Sequence, residues 1–320
     1  MKSPWLAVCV IAAIAFLPAT ESQSADPEKS ATSPADLMRG QEAGQVRDGN
    51  GLKMKLIWCP PGFVTMESVE RITEPAAEKD DNVNDNEVDP KDERTPKPRQ
   101  TEKITPVQVF VTKGYWLGKY EVTQSEWKQV MKTEPWKGQE FTKEGADFPA
   151  TFISWNDATD FCRRLTEQER GAGRLSNDWE YTLPTKAQWE RACRARTETR
   201  FSFGDDESKL DDYAWFVDNA VKAGEQYAHR VGQKKANSWG LFDMHGNVWE
   251  WCRDIYTEKL PGGRDPEVKL DEKTEGSNRM RRGGSWACVV SFCQSAFRFW
   301  YSPGDRDADF GFRVALCAVR

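Results

Sequence analysis

The sequence predicts a loop-rich α+β domain, and three observations support this fold class. Hydrophobic residues make up 38% of the 320 residues, and 14 tryptophans and 16 phenylalanines are enough to build a core. Amphipathic helical repeats are scarce. Short aromatic stretches interrupted by glycine, proline and asparagine dominate instead, which favours short strands and turns. We therefore expect tryptophan side chains to fill irregular spaces between short elements.

The N-terminus has the pattern of a secretory signal peptide, which we assign to residues 1–25. Lys2 precedes an apolar run from Trp5 to Leu17, and small polar residues follow. This run is too short for a stable transmembrane helix. We predict export to the periplasm or the extracellular space, with no membrane attachment beyond the signal peptide. Residues 26–50 are polar and are predicted to be a flexible leader, followed by one domain at 51–320.

The formal net charge of −6 is concentrated in one segment. From Glu67 to Glu93, 11 acidic and 3 basic residues give a local charge of −8, which leaves +2 for the rest of the chain. No nucleic-acid-binding surface and no patch for anionic membranes is therefore implied. Because the segment is also rich in proline and poor in aromatic residues, we predict a disordered acidic insertion at about 67–103.

Strands are predicted where apolar residues alternate or form short runs. Residues 52–66 predict a strand pair that turns at Pro60-Pro61-Gly62. Two further strands are predicted at Val107–Val111 and Tyr115–Tyr120, and a final one at Val314–Leu316.

Three helices are predicted from the residues that precede them. Thr123 followed by Glu126 is a capping-box signature. Ser154 and Thr185 precede two further segments with helical spacing of apolar residues. The inward faces of these two helices carry Cys162 and Cys193, which we expect to be core residues or disulfide partners rather than reactive thiols.

Seven cysteines remain once Cys9, inside the apolar run, is set aside. Export makes disulfides possible, and the odd number leaves at least one thiol without a partner in the same chain. Cys288 and Cys293 lie five residues apart, just after a turn at Gly283-Gly284-Ser285-Trp286. Two thiols at that spacing can form a disulfide, a soft-metal site or a redox pair.

The stretch from Trp239 to Asp254 has features of a cation-binding loop. Its glycines allow tight turns, and its carboxylates, one asparagine and exposed carbonyl groups suit a hard cation such as calcium. His229 and His245 are the only histidines, so a three-histidine zinc or iron site is excluded.

Six stretches follow one another along the chain: GYWLGKYEVTQSEW, FISWNDATDFCRRLT, LPTKAQWERACRA, WGLFDMHGNVWEWCRD, RRGGSW and GFRVAL. Together they resemble the sulfatase-modifying-factor family, whose founding activity is the formylglycine-generating enzyme. The resemblance extends from Leu52 to Leu316 and is interrupted by the acidic insertion. The fold that it implies is a C-type-lectin-like α+β domain with little regular secondary structure.

The resemblance implies a copper-dependent oxidase that uses oxygen to convert a cysteine of a sulfatase Cys-x-Pro-x-Arg segment to formylglycine. The implied partner is the unfolded sulfatase polypeptide. The family's active-site cysteines lie two and seven residues after the aromatic residue of the Gly-Gly-Ser-aromatic turn. With Trp286 as that residue, they are Cys288 and Cys293, and the family serine is Ser285. Cu(I) is a soft metal that accepts two thiolates without histidine.

The resemblance also implies one calcium site in the cation-binding loop. Its ligands would be two carboxylates and two backbone carbonyl groups, from Asp243, Glu250, Gly246 and Val248. The family's second calcium site is lost, because Trp215 and Phe216 replace its ligands.

A non-catalytic binding module of the same lectin-like fold is the alternative from a different functional class. In that case Cys288 and Cys293 would be a structural disulfide or unrelated core thiols. The segment Gln294–Arg298, which follows the second cysteine, is shorter than the basic, tyrosine-rich segment of proven enzymes.

Overall fold

The computed structural model describes residues 38–74, 99–268 and 277–319. The predicted signal peptide and the centre of the predicted acidic insertion lie outside these described residues. Within them, no helix combines the length and apolarity that crossing a membrane requires.

Short strands and helices joined by long loops make up the described chain, as predicted for an α+β domain. The strands are β1 (Val46–Arg47), β2 (Leu56–Cys59), β3 (Gly62–Glu74), β4 (Arg99–Val111), β5 (Tyr115–Gly118), β6 (Trp179–Thr182), β7 (Trp249–Ile255), β8 (Gly263–Arg264), β9 (Arg279–Arg282), β10 (Phe299–Tyr301), β11 (Phe310–Gly311) and β12 (Ala315–Ala318). The helices are α1 (Gln124–Met131), α2 (Trp155–Gly171), α3 (Lys186–Arg194) and α4 (Leu210–Tyr213).

The described strands form three sheets. A five-stranded antiparallel sheet has the order β1-β2-β5-β12-β6. A four-stranded sheet has the order β10-β9-β7-β11, and β11 runs parallel to β7. The third sheet has the order β3-β4-β8. The predicted final strand is confirmed as β12, which lies between β5 and β6 and so ties the C-terminal part of the chain into the five-stranded sheet.

The predicted pairing of the two strands in 52–66 is wrong. Strand β2 pairs with β5, whereas β3 pairs with β4, so the segment between them is a corner between two sheets. Arg191 fixes this corner by donating hydrogen bonds to the carbonyl oxygens of Pro60, Pro61 and Phe63. A Cβ on Gly62 would lie 2.4 Å from the Arg191 guanidinium. Glycine is therefore needed for this close approach rather than for a hairpin turn.

The predicted flexible leader extends too far, because residues 38–50 lie against the domain. Val46 and Arg47 pair with β2, and the indole N–H of Trp116 donates to the carbonyl oxygen of Met38 at 2.8 Å. Met38 and Asn50 are buried. The segment is polar and has no hydrophobic periodicity, so its order depends on contacts that are distant in the sequence.

The predicted acidic insertion is also too long. Strands β3 and β4 pair without interruption from Gly62 opposite Val111 to Glu74 opposite Arg99. Residues 67–74 and 99–103 therefore belong to a long hairpin, while 75–98 lie outside the described residues. A charged composition does not prevent pairing here, because cross-strand hydrogen bonds satisfy the backbone of both segments.

We expect replacement of residues 75–98 by the dipeptide Asn-Gly to preserve the fold. Glu74 and Arg99 are directly opposite each other, so a two-residue turn can join them. The melting temperature should stay within about 2–4 °C of the wild-type value, which corresponds to roughly 1 kcal/mol for a domain of this size. Differential scanning calorimetry measures the change. A variant that aggregates or unfolds at room temperature would contradict this expectation.

The three predicted helix starts are confirmed. Thr123, Ser154 and Thr185 each accept a hydrogen bond from the backbone N–H three residues later, and each forms a complete capping box. Cys162 and Cys193, which these helices carry, are buried as expected. No disulfide joins any of the seven cysteines in the described part of the chain.

The five-stranded sheet separates two hydrophobic cores. Alternate side chains of β2 enter different cores: Leu56 and Trp58 pack with residues of α1 and α2, whereas Ile57 and Cys59 pack with residues of α3. A third, smaller apolar cluster lies beside the four-stranded sheet, under Trp249, and contains both cysteines of the predicted metal site.

Candidate functional site

Cys288 and Cys293 lie in one buried apolar cluster. The cluster also contains Phe201, Phe216 and Trp249. Both cysteines follow β9 and the Gly283-Gly284 turn, and Cys293 ends a 3₁₀ turn at Val290–Cys293. The turn approaches so closely that a Cβ on Gly284, whose φ is +77°, would lie 2.9 Å from Cys293 Sγ. Glycine at this position leaves the space that the thiol occupies.

Burial keeps both thiols protonated at neutral pH. It raises the pKa of Cys288 to about 11, and the hydrogen bond between Cys288 and Ser285 offsets only part of this effect. The pKa of Cys293 is also well above its usual value because of burial, and the nearby Cys288 raises it further. A soft metal that displaces both protons would make this a thiolate site.

Ser285 connects Cys288 to a carboxylate that sequence reasoning missed. The Ser285 hydroxyl donates to Asp309 Oδ2 at 2.6 Å, and its oxygen is 3.2 Å from Cys288 Sγ. Since the hydroxyl proton is committed to Asp309, the oxygen is free to accept the Cys288 thiol proton. Burial raises the pKa of Asp309, whereas the Ser285 hydrogen bond lowers it. The position of Asp309, two residues before Gly311-Phe312-Arg313, was the only signal available in the sequence.

His245 fixes the backbone of Cys293 and is a second residue that sequence reasoning did not place in the site. Its Nδ1 is 2.8 Å from the Cys293 carbonyl oxygen, and its Nε2 is 3.2 Å from the backbone nitrogen of Ser202. Burial lowers its pKa to about 4, so the ring is neutral. Nδ1 must then donate to the carbonyl group, and Nε2 accepts from Ser202. The histidine is therefore a scaffold for Cys293 rather than a metal ligand.

An exposed aromatic surface lies beside the two cysteines. Strand β10, at the edge of the four-stranded sheet, exposes all three of its residues, Phe299, Trp300 and Tyr301. Phe292, in the turn between the cysteines, is also exposed and contacts the ring of Trp249 beneath it. Apolar patches of this kind on the surface of a soluble protein are typical of interaction sites.

The predicted calcium loop is joined to the cysteine turn by two backbone hydrogen bonds. Gly246 N–H donates to the Gly283 carbonyl oxygen at 2.7 Å, and Trp286 N–H donates to the Asn247 carbonyl oxygen at 2.9 Å. Asp243 Oδ2 accepts from a backbone N–H at 2.7 Å, while its Oδ1 is buried without a hydrogen-bond partner. Asp243 therefore retains an oxygen that is available to a cation.

Glu250, which was expected to be a calcium ligand, lies in a buried ion pair instead. Arg313 binds both of its oxygens at 2.6 Å, and the indole N–H of Trp189 donates to Oε2 at 2.6 Å. This carboxylate does not fit the role of a free ligand. Of the four predicted ligands, Asp243 fits through Oδ1, and Gly246 and Val248 can contribute only carbonyl oxygens.

Three buried carboxylates surround the single guanidinium of Arg313. They are those of Glu121, Asp243 and Glu250. Burial and the neighbouring carboxylates raise the pKa of Glu121 well above its usual value, and burial raises that of Asp243 to about 6. One arginine does not neutralise three carboxylates, so a bound cation would be electrostatically favourable here. Nevertheless, in the described ranges no three His, Cys, Asp or Glu side chains are grouped so that they could hold a metal ion.

The residues that replace the second calcium site offer rings rather than oxygen ligands. Trp215 stacks on His229 with 3.7 Å between the ring centroids. The ammonium group of Lys234 lies 4.0 Å from the Trp215 ring. A cation–π contact therefore occupies this position.

Comparisons with known proteins agree with this architecture. The model of a family described as sulfatase-modifying factor enzyme 1-like domain matches residues 47–318. The chaperone protein LppX of Paenibacillus barcinonensis is 25% identical over 240 residues, which cover 62% of this chain and 79% of that protein. The formylglycine-generating enzyme of Mus musculus is 30% identical over 211 residues, which cover 61% of this chain and 52% of that enzyme. The chain thus spans about half the length of the mouse enzyme.

A solved structure supports the fold. PvdO from Pseudomonas aeruginosa is similar with a TM-score of 0.63 and 22% sequence identity, over 87% of this chain and 99% of that one. At this identity the likeness concerns the fold alone. The C-type-lectin-like α+β fold expected from the sequence is confirmed.

Proposed function

The chain belongs to the sulfatase-modifying factor family, and on that premise we propose that it is an exported oxidase that generates formylglycine. Its substrate would be a cysteine in the Cys-x-Pro-x-Arg segment of an unfolded sulfatase, and it would use oxygen and Cu(I). One observation carries the proposal: Cys288 and Cys293 share a buried cluster as free thiols, and Cys288 is hydrogen-bonded to Ser285. Export rests on the signal-peptide pattern at residues 1–25.

The residues around the two thiols fit a copper ion. Bound Cu(I) would supply a soft Lewis acid that prefers thiolates and reacts with oxygen. Cys288 and Cys293 would hold it, with Gly284 leaving room for the Cys293 sulfur and His245 fixing the Cys293 backbone. When the Cys288 thiol loses its proton, Ser285 Oγ can accept it while the serine hydroxyl proton moves to Asp309 Oδ2.

The aromatic surface beside the thiols supports a polypeptide substrate. Strand β10 exposes Phe299, Trp300 and Tyr301, and it is an edge strand of the described four-stranded sheet. An extended peptide can pair with a strand edge through backbone hydrogen bonds while its apolar side chains contact exposed rings. This mode of binding selects an unfolded segment, because a folded sulfatase does not present its cysteine in extended form.

A direct assay tests the proposed activity. The reduced protein is loaded with one equivalent of Cu(I) and incubated in air with a Cys-x-Pro-x-Arg peptide and a thiol reductant. The peptide cysteine gives up two electrons as it becomes an aldehyde and releases sulfide, and the reductant supplies the other two electrons that reduce O2 to water. We expect an aldehyde that is detected by hydrazide labelling and mass spectrometry, and no product when a Cu(I) chelator is present. A copper-loaded protein that leaves the peptide unmodified would refute the oxidase for this substrate.

A non-catalytic peptide-binding module is the second candidate. The exposed aromatic strand favours it, as does the 25% identity to a protein named as a chaperone. In that case Cys288 and Cys293 are core thiols, and the peptide binds without being converted. Peptide binding without aldehyde formation would therefore favour this candidate.

We also propose that one Ca²⁺ binds in the loop that is joined to the cysteine turn. Its ligands would be Asp243 Oδ1 and the carbonyl oxygens of Gly246 and Val248. Calcium at a hundredfold excess over its dissociation constant should stabilise the fold by about 2.7 kcal/mol. We expect the melting temperature to rise with calcium in the wild type, and not in Asp243→Asn. Equal melting temperatures in calcium and in chelator would rule out the site.

A further inference from the structure

We propose that Arg279 and Arg281 form an anion-binding site that accepts a carboxylate of the polypeptide ligand beside Cys288. This anion-binding site depends on the proposed function in one respect, which is that the ligand is a polypeptide. The site lies on β9, immediately before the turn that leads to the two cysteines.

The two arginines project from the same face of the sheet. Side chains alternate along a strand, so Arg279 and Arg281 share one face and Met280 and Arg282 share the other. Met280 lies in the core against α3, and Arg282 binds Glu190 of that helix at 2.6 Å. The face of Arg279 and Arg281 is therefore the one that does not pack on α3.

Both arginines are buried without the partners that buried arginines normally have. Arg279 is 3% exposed and Arg281 is 2% exposed, yet Nε and Nη1 of each lack a hydrogen-bond partner. Arg282 and Arg313 are equally buried, but each is paired with a glutamate. An unpaired buried charge is costly. Arg282 Nε also lacks a hydrogen-bond partner, but its Nη2 is paired with Glu190. In Arg279 and Arg281 two guanidinium nitrogens each lack a partner and no ion pair in the described chain compensates, so these two groups can bind an added carboxylate.

Aromatic rings hold the two guanidinium groups in place. Arg281 Cζ lies 3.6 Å from the Phe310 ring centroid and 4.2 Å from that of Tyr301. Arg279 Cζ lies 4.4 Å from the Trp155 ring centroid. Stacking occupies the flat faces of a guanidinium and leaves its N–H groups, which point outward in the plane, free to bind a carboxylate.

The described carboxylates near the two arginines do not pair with them directly, so an added anion would be electrostatically favourable. Asp309 and Asp307 stabilise the charged form of Arg281, but Asp309 is already hydrogen-bonded to Ser285. Burial lowers the pKa of Arg281 to about 10, so it is still charged at neutral pH. Burial also lowers the pKa of Arg279, and no carboxylate offsets that effect.

The site is close to the thiols and to the exposed aromatic strand. Arg281 Cζ lies 5.0 Å from the ring centroid of Trp249, which belongs to the same apolar cluster as Cys288. Tyr301 lies opposite Arg279 in the β10–β9 register and is 37% exposed, so it forms the outer wall of the site. A peptide along β10 would therefore pass both the arginine pair and the cysteines.

The expected consequence is a preference for an acidic residue near the target cysteine of the peptide. Binding is measured by fluorescence anisotropy with the full chain at low salt. The labelled Cys-x-Pro-x-Arg peptides carry serine in place of the target cysteine, so the readout does not depend on oxidation. Glutamate and glutamine are compared at each of the three positions before that serine and at the two variable positions after it, so that the proline and arginine of the motif are kept. At one position or more, glutamate should bind at least tenfold more tightly.

Three variants assign the preference to the arginine pair. Arg281→Met and Arg279→Met retain an apolar stem against the rings and should each lower the glutamate preference at least fivefold. Arg306→Met is the matched control, because Arg306 is an exposed arginine that is already paired with Asp157. It should leave the preference unchanged. Arg281→Lys keeps the positive charge but loses the paired N–H groups of the guanidinium. It should therefore retain part of the preference for glutamate.

Two results would overturn the anion site. One is a wild-type protein that binds the glutamate and glutamine peptides equally at every position, a comparison that needs no variant to fold. The other is an unchanged preference in folded Arg279→Met and Arg281→Met. A protein that prefers glutamate but forms no aldehyde from the cysteine peptide would retain the anion site while refuting the oxidase.

Discussion

Replacing either Cys288 or Cys293 with serine is expected to abolish aldehyde formation from a Cys-x-Pro-x-Arg peptide. A serine hydroxyl is a hard, weakly acidic ligand that does not replace a thiolate on Cu(I). Loss of residues that merely support metal ligands lowers activity or metal affinity about 10–100-fold. Loss of a ligand itself should therefore lower the aldehyde yield and the Cu(I) affinity at least about 100-fold. Aldehyde yield and Cu(I) affinity, determined by competition with a chelator, are measured for the same protein samples.

Cys162→Ser is the control for this pair of variants. Cys162 is a buried core cysteine on α2 with a strongly raised pKa caused by burial, and it lies in a different apolar cluster. Serine there should lower the melting temperature and leave Cu(I) affinity and aldehyde yield per folded molecule unchanged. If Cys288→Ser and Cys293→Ser behave as Cys162→Ser does, the two thiols are structural and the binding module becomes the better account.

Glu250→Gln is expected to destabilise the fold by about 3–5 kcal/mol, because it removes the only carboxylate among the described residues that binds the buried guanidinium of Arg313 directly. Both residues are fully buried, and Arg313 binds both carboxylate oxygens at 2.6 Å. Arg313 also donates to the carbonyl oxygens of Gly118 and Phe242, so it joins β5 to the loop that contains Asp243. The free energy of unfolding is measured by urea denaturation.

Glu167→Gln is the matched control on the protein surface. Glu167 is paired with Arg163 one turn earlier on α2, and its side chain is 61% exposed. Exposed pairs of this type contribute less than about 1 kcal/mol. The double variant Arg313→Met/Glu250→Gln should be destabilised by less than the sum of the two single changes, because it removes both members of the direct ion pair instead of leaving one without the other. A loss below about 1 kcal/mol in Glu250→Gln would contradict the structural role of this pair.

Features that depend only on neighbouring residues could be predicted from the sequence. The three capping boxes are local, since a threonine or serine and a residue three positions later satisfy the free N–H groups of the same helix turn. The cysteine turn is local for a similar reason: Gly283 and Gly284 adopt positive φ values that other residues avoid, and Cys288 and Cys293 follow within one short stretch. The ordered series of motifs was specific enough to predict the family and its fold.

Only the tertiary structure decided which distant residues meet. Asp309 reaches Ser285 from 24 residues away, His245 reaches Cys293 from 48, and Arg313 reaches Glu250 from 63. Strand partners were equally undetermined, which is why β2 and β3 were wrongly paired and the long β3–β4 hairpin was missed. A carboxylate has the same local pattern whether it binds calcium or arginine. The role of a buried carboxylate depends on whether a cation or an arginine is packed against it. Packing of the whole chain decides this, and the spacing of residues in the sequence does not.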